Sequence, residues 1–218
     1  MSPQSDRECR GILRDHKLPI RDIRMIMKES EPRGRYYLPV LMLRPSSKCF
    51  IFDMESIKFV CFQDKCMIFN VEDDAAQTFI GGLQKKFEAS KKTTDGESTQ
   101  TNDDEVDNEN SLDFEHVILE YALENVAQKF KKHVQVIGPA LDFFLKQVEL
   151  DPESNGLRKI LTVKKYLTTF LQKVQHVKTV LQNIYNRDDE MLSLYFSQIR
   201  KKEDHKEIEL LLSTYTVL

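Results

Sequence analysis

The sequence predicts an α+β fold in which a small N-terminal sheet with one helix precedes long antiparallel helices. Two patterns predict this order. Residues 36–72 contain short apolar runs rich in β-branched and aromatic side chains, bounded by turn residues, as strands do. From residue 112 onward, apolar side chains recur three or four positions apart, as on the buried face of a helix. With 218 residues, 40% of them hydrophobic, the chain can bury a sizeable core.

The first predicted unit covers residues 1–90 and is expected to contain a small mixed sheet. Its apolar runs lie at residues 37–43, 49–52, 59–62 and 66–71. Turns are expected at residues 44–47 and 63–65, because these positions carry residue types that favour turn conformations. Residues 75–90 follow helical spacing, with Gly81 and Gly82 as the weak point of that helix.

An acidic segment at residues 91–111 is predicted to be a disordered loop. Between residues 93 and 110 it holds seven acidic residues and no basic one. Such a composition cannot bury enough surface to offset the entropy of ordering. Removing these seven from the 35 acidic residues of the chain leaves 28, against 32 basic ones. This balance does not indicate nucleic acid as a partner.

The third predicted unit, residues 112–203, is a long helical hairpin followed by a short helix at about residues 188–202. Its first helix has an apolar stripe from Phe114 to Val148, with a kink expected at Gly138-Pro139. A turn at residues 151–156 leads to a second helix with a more regular stripe. The apolar positions of that stripe are Ile160, Val163, Leu167, Phe170, Val174, Val177, Leu181 and Ile184. Alternating spacings of three and four are typical of helices that pack side by side.

The last predicted unit, residues 204–218, is the start of an amphipathic helix. Ile208, Leu211, Leu212 and Tyr215 share one face, and charged side chains fill the other. No glycine, asparagine or proline closes the segment. Because packing stabilises such a helix more than propensity does, we expect a partner helix, a membrane or a continuation beyond Leu218.

Cysteine usage and hydropathy restrict the class of protein. Four cysteines without a C-x-x-C pair favour reduced thiols in an intracellular compartment. No charge-free stretch approaches the roughly 18–20 residues that cross a bilayer, so no membrane span is expected. Basic residues near the N-terminus alternate with acidic ones, so the sequence contains no clear targeting peptide.

The sequence does not predict an enzyme. Motifs for phosphate, dinucleotide, serine-nucleophile and zinc-protease chemistry do not occur. The five histidines are scattered. Cys61 and Cys66 could bind zinc only with two further ligands, which the sequence does not place nearby. No catalytic residue and no cofactor site are therefore predicted.

Two acidic clusters are the candidate metal-binding residues. The first comprises Asp188, Asp189 and Glu190, and the second comprises Asp204, Glu207 and Glu209. Carboxylates near a helix N-terminus are favoured by capping and by the helix macrodipole, which explains both clusters without a ligand. Mg²⁺ prefers the same oxygen ligands, so divalent-cation sensing is the alternative interpretation.

A set of short motifs in a fixed order carries a resemblance to a known family. The motifs are LPIRDIR at residues 18–24, IKFV at 57–60, CMIF at 66–69, LDFE at 112–115, IGP at 137–139, DDEM at 188–191 and DHKEIELLLSTY at 204–215. Together they resemble the eukaryotic mitochondrial branch of the CorA magnesium channels. The resemblance implies an α/β domain with long helices on the matrix side of the inner mitochondrial membrane.

The family's pore elements do not occur in this sequence. In the family, the last stalk helix continues into a membrane span that ends in Gly-Met-Asn, and five subunits surround the pore. This chain contains no Gly-Met-Asn and stops within the stalk helix. We therefore expect it to represent the matrix-facing regulatory part of a magnesium transporter, without a pore and unable to conduct alone.

Two functional hypotheses follow from the sequence. In the first, the chain is the matrix-facing domain of a magnesium channel and forms a homo-oligomer, pentameric in the family, with Mg²⁺ as the bound or transported ion. In the second, it is a helical interaction module that joins or modulates full-length family protomers. Its regular stripe at residues 160–184 motivates this alternative.

Overall fold

The computed structural model describes residue 11 and residues 13–27, 38–94, 113–150, 156–196 and 205–216. Its strands are β1 (Val40–Arg44), β2 (Cys49–Met54), β3 (Ile57–Phe62) and β4 (Cys66–Phe69). Its helices from residue 20 onward are α1 (Ile20–Met27), α2 (Asp74–Thr94), α3 (Phe114–Leu150), α4 (Gly156–Tyr185), α5 (Asp188–Leu192) and α6 (Lys206–Thr216). The predicted α+β class is confirmed.

The four strands form one antiparallel sheet in the order β1-β2-β3-β4. The prediction of a mixed sheet was therefore wrong. Consecutive strands are joined by short turns, and such turns can only connect antiparallel neighbours. Between β2 and β3 the turn consists of Glu55 and Ser56, whose φ angles are 47° and 73°. Positive φ at both positions matches the right-handed twist of a hairpin.

Both faces of the sheet are covered, which explains its continuous apolar runs. Every residue of β3 is buried. One face packs against α2, α3, α4 and α6 through a core that includes Phe50, Phe59 and Phe79. The opposite face packs against α1 through a second core that includes Ile51 and Ile26. Strands buried on both sides cannot alternate apolar and polar residues.

Helices α3 and α4 run antiparallel beside the sheet. Leu123 of α3 lies near Leu181 of α4. Further along α3, Phe130 makes an edge-to-face contact with Phe170, at 5.7 Å between ring centroids. Residue numbers thus rise along α3 while they fall along α4, which confirms the predicted hairpin. Within the described residues, no helix is long and apolar enough to cross a membrane.

The helix boundaries differ from the predictions in two places. Helix α2 continues to Thr94, four residues into the predicted acidic loop, whose residues 95–111 lie outside the described ranges. Helix α3 continues through Pro139, so the kink predicted at Gly138-Pro139 does not end the helix. Helix α5 ends at Leu192, although the sequence predicted a helix to residue 202. There Leu194, Tyr195 and Phe196 are all buried, and three consecutive buried side chains do not fit a helix with one packed face.

Candidate coupling site at the base of the helical arm

The outer halves of α3 and α4 form an elongated projection, which we call the helical arm (residues 131–150 and 156–173). No described side chain between residues 127 and 176 is buried. Exposed apolar side chains nevertheless recur along it. They are Val134, Val136, Phe143, Leu145, Leu161, Tyr166 and Leu171, each at least 45% exposed. The candidate coupling site consists of the contacts that join this arm and helix α6 to the sheet.

A buried carboxylate at the β2–β3 turn anchors the base of the arm. The Glu55 side chain is only 7% exposed. Lys173 of α4 lies with its Nζ 3.4 Å from Glu55 Oε1. Lys129 of α3 donates a hydrogen bond from Nζ to the Glu55 carbonyl oxygen at 2.6 Å, and its Nζ lies 3.8 Å from Glu55 Oε2. The turn is thus linked to both helices, and we call this set the Glu55 clamp.

A second buried carboxylate links the start of α3 to the segment after α5. Glu115 is fully buried, and its Oε1 accepts a hydrogen bond from the Phe196 backbone N–H at 2.8 Å. These residues are 81 positions apart in the chain. A charged acceptor makes a hydrogen bond stronger than a neutral one does. This contact holds the residues after α5 against the core, and we call it the Glu115 junction.

An imidazole lies beside the Glu115 junction. His116 is 2% exposed, and its ring meets that of Tyr195 edge-to-face at 4.6 Å between centroids. Its Nδ1 lies 3.9 Å from Asp113 Oδ2. In the sequence this residue is one of five scattered histidines, none of which predicts a site. Its position in the first turn of a helix that begins with apolar side chains was the available signal for burial.

Helix α6 packs back onto α3 and α4 near the same end of the molecule. Ile208 and Leu212 are buried in the main core. Tyr215 is half-buried, and burial, followed by the charges of Glu120 and Glu124, raises its pKa above the ordinary value. Both carboxylates are themselves paired with Lys86 of α2, at 3.8 and 3.6 Å. The Tyr215 hydroxyl of α6 is therefore close enough to two carboxylates of α3 to be affected by their charge.

The first predicted acidic cluster lies in the first turn of α5. Asp188 and Asp189 are exposed. Asp188 Oδ1 lies 3.9 Å from Nε2 of His205, the residue that immediately precedes α6. Glu190 is paired with Arg187. The three carboxylates thus lie where the macrodipole of a helix favours negative charge.

The second predicted cluster lies at the start of α6. Glu207 and Glu209 are in the first turn of that helix. Asp204 lies outside the described residues. Across the described ranges, no three His, Cys, Asp or Glu side chains come together closely enough to hold a metal ion. The assignment of these six carboxylates to a cation site stays a prediction.

A groove of about 570 Å³ runs between strand β1 and the C-terminal part of α4. Residues 39–45 form one wall, and Arg187 and Glu190 lie on the other. Arg44, the last residue of β1, pairs with the buried carboxylate of Asp22. The Arg44 Nη2 donates a hydrogen bond to Asp22 Oδ1 at 2.9 Å. The hydrogen bond to Asp22 raises the Arg44 pKa. The groove wall is thus fixed to α1.

The sequence does not predict the Glu55 clamp or the Glu115 junction. Glu55 and Lys129 are 74 positions apart, so no local spacing reveals their contact. The motif LDFE contributes to the family resemblance, and its glutamate is also the acceptor of the Glu115 junction. A charged residue inside an otherwise apolar helix start is the feature that could have identified it.

These features define a class of protein: an α+β domain with a projecting helical hairpin, whose terminal helix packs back onto the hairpin base. The particular family follows from comparison with known proteins. A family model described as "Magnesium transporter MRS2-like" matches residues 3–217. The chain therefore belongs to the MRS2-like magnesium transporter family, and the resemblance inferred from the ordered motifs is confirmed.

Individual relatives agree with the family assignment. The chain is 29% identical over 210 residues to "Mitochondrial inner membrane magnesium transporter MRS2" of Candida glabrata, covering 93% of this chain and 41% of that protein. It is 26% identical over 212 residues to "Magnesium transporter MRS2, mitochondrial" of Saccharomyces cerevisiae, covering 94% and 40%. A third relative, "Mitochondrial inner membrane magnesium transporter MFM1" of the same yeast, is 26% identical over 226 residues, covering 98% and 51%. The chain spans about two fifths to one half of the length of these relatives.

Proposed function

We propose that the chain acts as the matrix-facing regulatory domain of a magnesium transporter at the mitochondrial inner membrane. The observation that carries this proposal is the match of residues 3–217 to the MRS2-like family. The names of the C. glabrata and S. cerevisiae relatives supply the transported ion and the compartment. No catalytic role is proposed, because these relatives are named as transporters.

The geometry gives the proposed domain a route for regulation. Helix α6 packs against α3 and α4, and its Leu212 lies in the same core as Phe196 of the Glu115 junction. His205, at the start of α6, faces Asp188 of α5. A change at the α5 cluster would therefore act on the position of α6 through direct contacts. In this proposal α6 transmits that change toward the membrane.

A chimeric transporter tests the function. The matching segment of the S. cerevisiae MRS2 relative is replaced by this chain, and Mg²⁺ uptake is measured in mitochondria that lack the native transporter. We expect uptake clearly above that of the deletion strain. The matched control carries Leu212→Asp, which places a charge in the core and undocks α6. A chimera that accumulates normally in the inner membrane yet gives no uptake would count against the proposal.

We further propose that the acidic clusters bind Mg²⁺ in this domain. Carboxylates with ordered water are the usual ligands of this ion. Binding to the folded state alone would raise the melting temperature with ion concentration. The triple variant Asp188→Asn, Asp189→Asn, Glu190→Gln should weaken this response, and so should Asp204→Asn, Glu207→Gln, Glu209→Gln, because each variant removes one of the two clusters. Asp142→Asn, at an exposed position of the arm, is the control. An unchanged melting temperature in the wild type would exclude a useful site.

A second candidate function is an interaction module that joins other copies or longer family protomers. The exposed apolar side chains of the arm favour it. Because successive helical residues are rotated by about 100°, Val136 and Phe143 lie opposite Val134 and Leu145. One flat partner could not cover both sides. Oligomers in which each arm contacts two neighbours would do so.

Co-purification tests this second function. A tagged full-length C. glabrata relative is expressed with this chain, and recovery of the chain is compared among variants. Val136→Lys with Phe143→Lys should reduce recovery about tenfold or more, since each charge would be desolvated in the contact. Gln147→Lys, also exposed on the arm, should leave recovery unchanged. Equal loss in both variants would indicate a charge effect unrelated to an apolar contact.

A further inference from the structure

We propose that Cys61 and Cys66 form a reversible cross-strand disulfide by thiol–disulfide exchange with a small disulfide such as glutathione disulfide. This inference does not depend on the proposed transport function. It rests on the strand register, on the hydrogen bond that flanks the pair and on the accessibility of one of the two thiols.

The register places the two cysteines directly opposite each other. Cys61 of β3 pairs with Cys66 of β4 in the antiparallel ladder. The flanking hydrogen bond runs from the Phe62 N–H to the Lys65 carbonyl oxygen at 2.8 Å. Because this bond joins the residues on the turn side of the pair, Cys61 and Cys66 form a non-hydrogen-bonded pair. In such pairs the Cα atoms are about 4.5 Å apart and the side chains are closest.

This spacing matches what a disulfide needs. Disulfide-bonded cysteines have Cα separations of about 4.4–6.8 Å. Directly opposed side chains on antiparallel strands point to the same face of the sheet. The structure agrees, since Cys61 belongs to the main core and Cys66 packs against that core. Both thiols are free. No backbone rearrangement is required to bring them together.

The different surroundings of the two thiols determine which of them reacts first. Cys61 is fully buried, whereas Cys66 is partly exposed at the edge strand β4. The pKa of the Cys61 thiol is raised by its contact with the Cys66 thiol and by burial. A thiolate is the attacking species, so the first attack belongs to Cys66.

Two exchange steps complete the oxidation. Cys66 Sγ attacks glutathione disulfide, forming a mixed disulfide and releasing one glutathione thiolate, which takes up the Cys66 proton. Cys61 Sγ then attacks Cys66 Sγ, which closes the cross-strand bond and releases the second glutathione with the Cys61 proton. Two protein thiols are oxidised to one disulfide, and one glutathione disulfide is reduced to two glutathione molecules. Since Cys61 must deprotonate, the second step should accelerate as the pH rises.

Closure would act next to the Glu115 junction. The charge of Glu115 is among the influences that raise the Cys61 pKa, so the two side chains are close enough to interact. A disulfide at this position would tie the edge strand β4 to the fully buried strand β3. Oxidation of this pair would therefore change the packing of the core that also contains residues of helix α6.

Peptide mapping of the full chain tests the proposal. The reduced protein is equilibrated with mixtures of reduced and oxidised glutathione, quenched with acid, unfolded and alkylated. We expect loss of two of the four alkylatable thiols, with a Cys61–Cys66 linked peptide that increases with the oxidised fraction and disappears in excess reduced glutathione. Cys49 should stay alkylatable, because it lies on the opposite face of the sheet.

A pair of variants separates the bridge from simple modification. Cys61→Val keeps an apolar side chain in the core and should accumulate the mixed disulfide at Cys66. Cys66→Ser removes the accessible thiol and should leave Cys61 unmodified. The proposal is overturned if the wild type accumulates only a mixed disulfide, if the bridge involves Cys9 or Cys49, or if all thiols stay reduced under the most oxidising mixture.

Discussion

The sheet with its covering helices and the helical arm use similar apolar side chains in opposite ways. In the first region, Phe50, Phe52, Phe59 and Phe79 are all fully buried. In the arm, Phe143 is 58% exposed and Val136 is 72% exposed. We call the first region the body. The difference arises because the body has a layer on each side of its sheet, whereas in the described structure the arm is two helices with no further layer.

Most of the free energy of folding should reside in the body. Burial of an aromatic side chain stabilises a protein by a few kcal/mol, and an exposed one contributes little. The body should therefore determine the stability of the chain, and the arm should be nearly neutral. Apolar side chains that add no stability to the isolated chain are available for contacts with other molecules.

Truncation of one aromatic side chain in each region tests this directly. Phe59→Ala should lower the free energy of unfolding by about 3–5 kcal/mol, because a cavity forms where Phe59 stacks on Phe52 at 4.9 Å. Phe143→Ala in the arm should change it by less than about 0.5 kcal/mol. Urea unfolding followed by circular dichroism measures both. Equal losses would mean that the arm is covered in solution by part of the chain itself or by a second copy.

The Glu115 junction should give the next largest effect. Glu115→Ala leaves the buried Phe196 N–H without this acceptor and should lower the free energy of unfolding by about 2–3 kcal/mol. Glu115→Gln keeps an acceptor oxygen and should lose roughly half as much. Urea unfolding measures the difference between the two variants. If Gln is as damaging as Ala, the charge matters more than the hydrogen bond.

Two neighbouring glycines of α2 locate the edge of the body. A Cβ at Gly82 would lie 1.7 Å from Tyr121 Oη, whereas a Cβ at Gly81 would meet nothing within 4 Å. Gly82→Ala should therefore destabilise by about 1–2 kcal/mol, because the tyrosine must shift. Gly81→Ala should stabilise by about 0.5–1 kcal/mol through higher helix propensity. Thermal unfolding of both variants checks the signs, and a gain at Gly82 would contradict this packing.

Most elements of the fold could be predicted because burial leaves a local pattern. Strand β3 is apolar except for Lys58, and both of its faces are buried. The stripe at residues 160–184 correctly predicted α4 but overestimated its burial. Only Val177, Leu181 and Ile184 of that stripe are buried, since the body ends near residue 177. A periodic stripe indicates which face of a helix is apolar, but it does not indicate whether other helices or strands cover that face.

The candidate site was less predictable, because its contacts join distant residues. The Glu55 clamp forms because α3 and α4 both pass close to the β2–β3 turn. The spacing of charged residues along the sequence does not predict that contact. The length of α5 was also set by tertiary contacts. Phe196 lies 6.0 Å from Phe50 between ring centroids, so the chain turns into the core instead of continuing a helix.

The smallest predicted effect concerns Tyr215, near the end of α6, where this helix packs against the core of the body. Its pKa is raised from the ordinary value of 10.0 by burial and then by Glu120 and Glu124, so the folded state favours the neutral phenol. Its contribution to stability is present below about pH 10 and is lost as the pH rises through the higher folded-state pKa.

Tyr215→Phe removes this titration while keeping the ring. The free energy of unfolding of the wild type should therefore fall relative to the variant from about pH 9 to 11. Cys49, whose pKa burial raises to about 12, titrates in both proteins and cancels in the difference. Parallel profiles would show that Tyr215 is solvated and that the body ends before it.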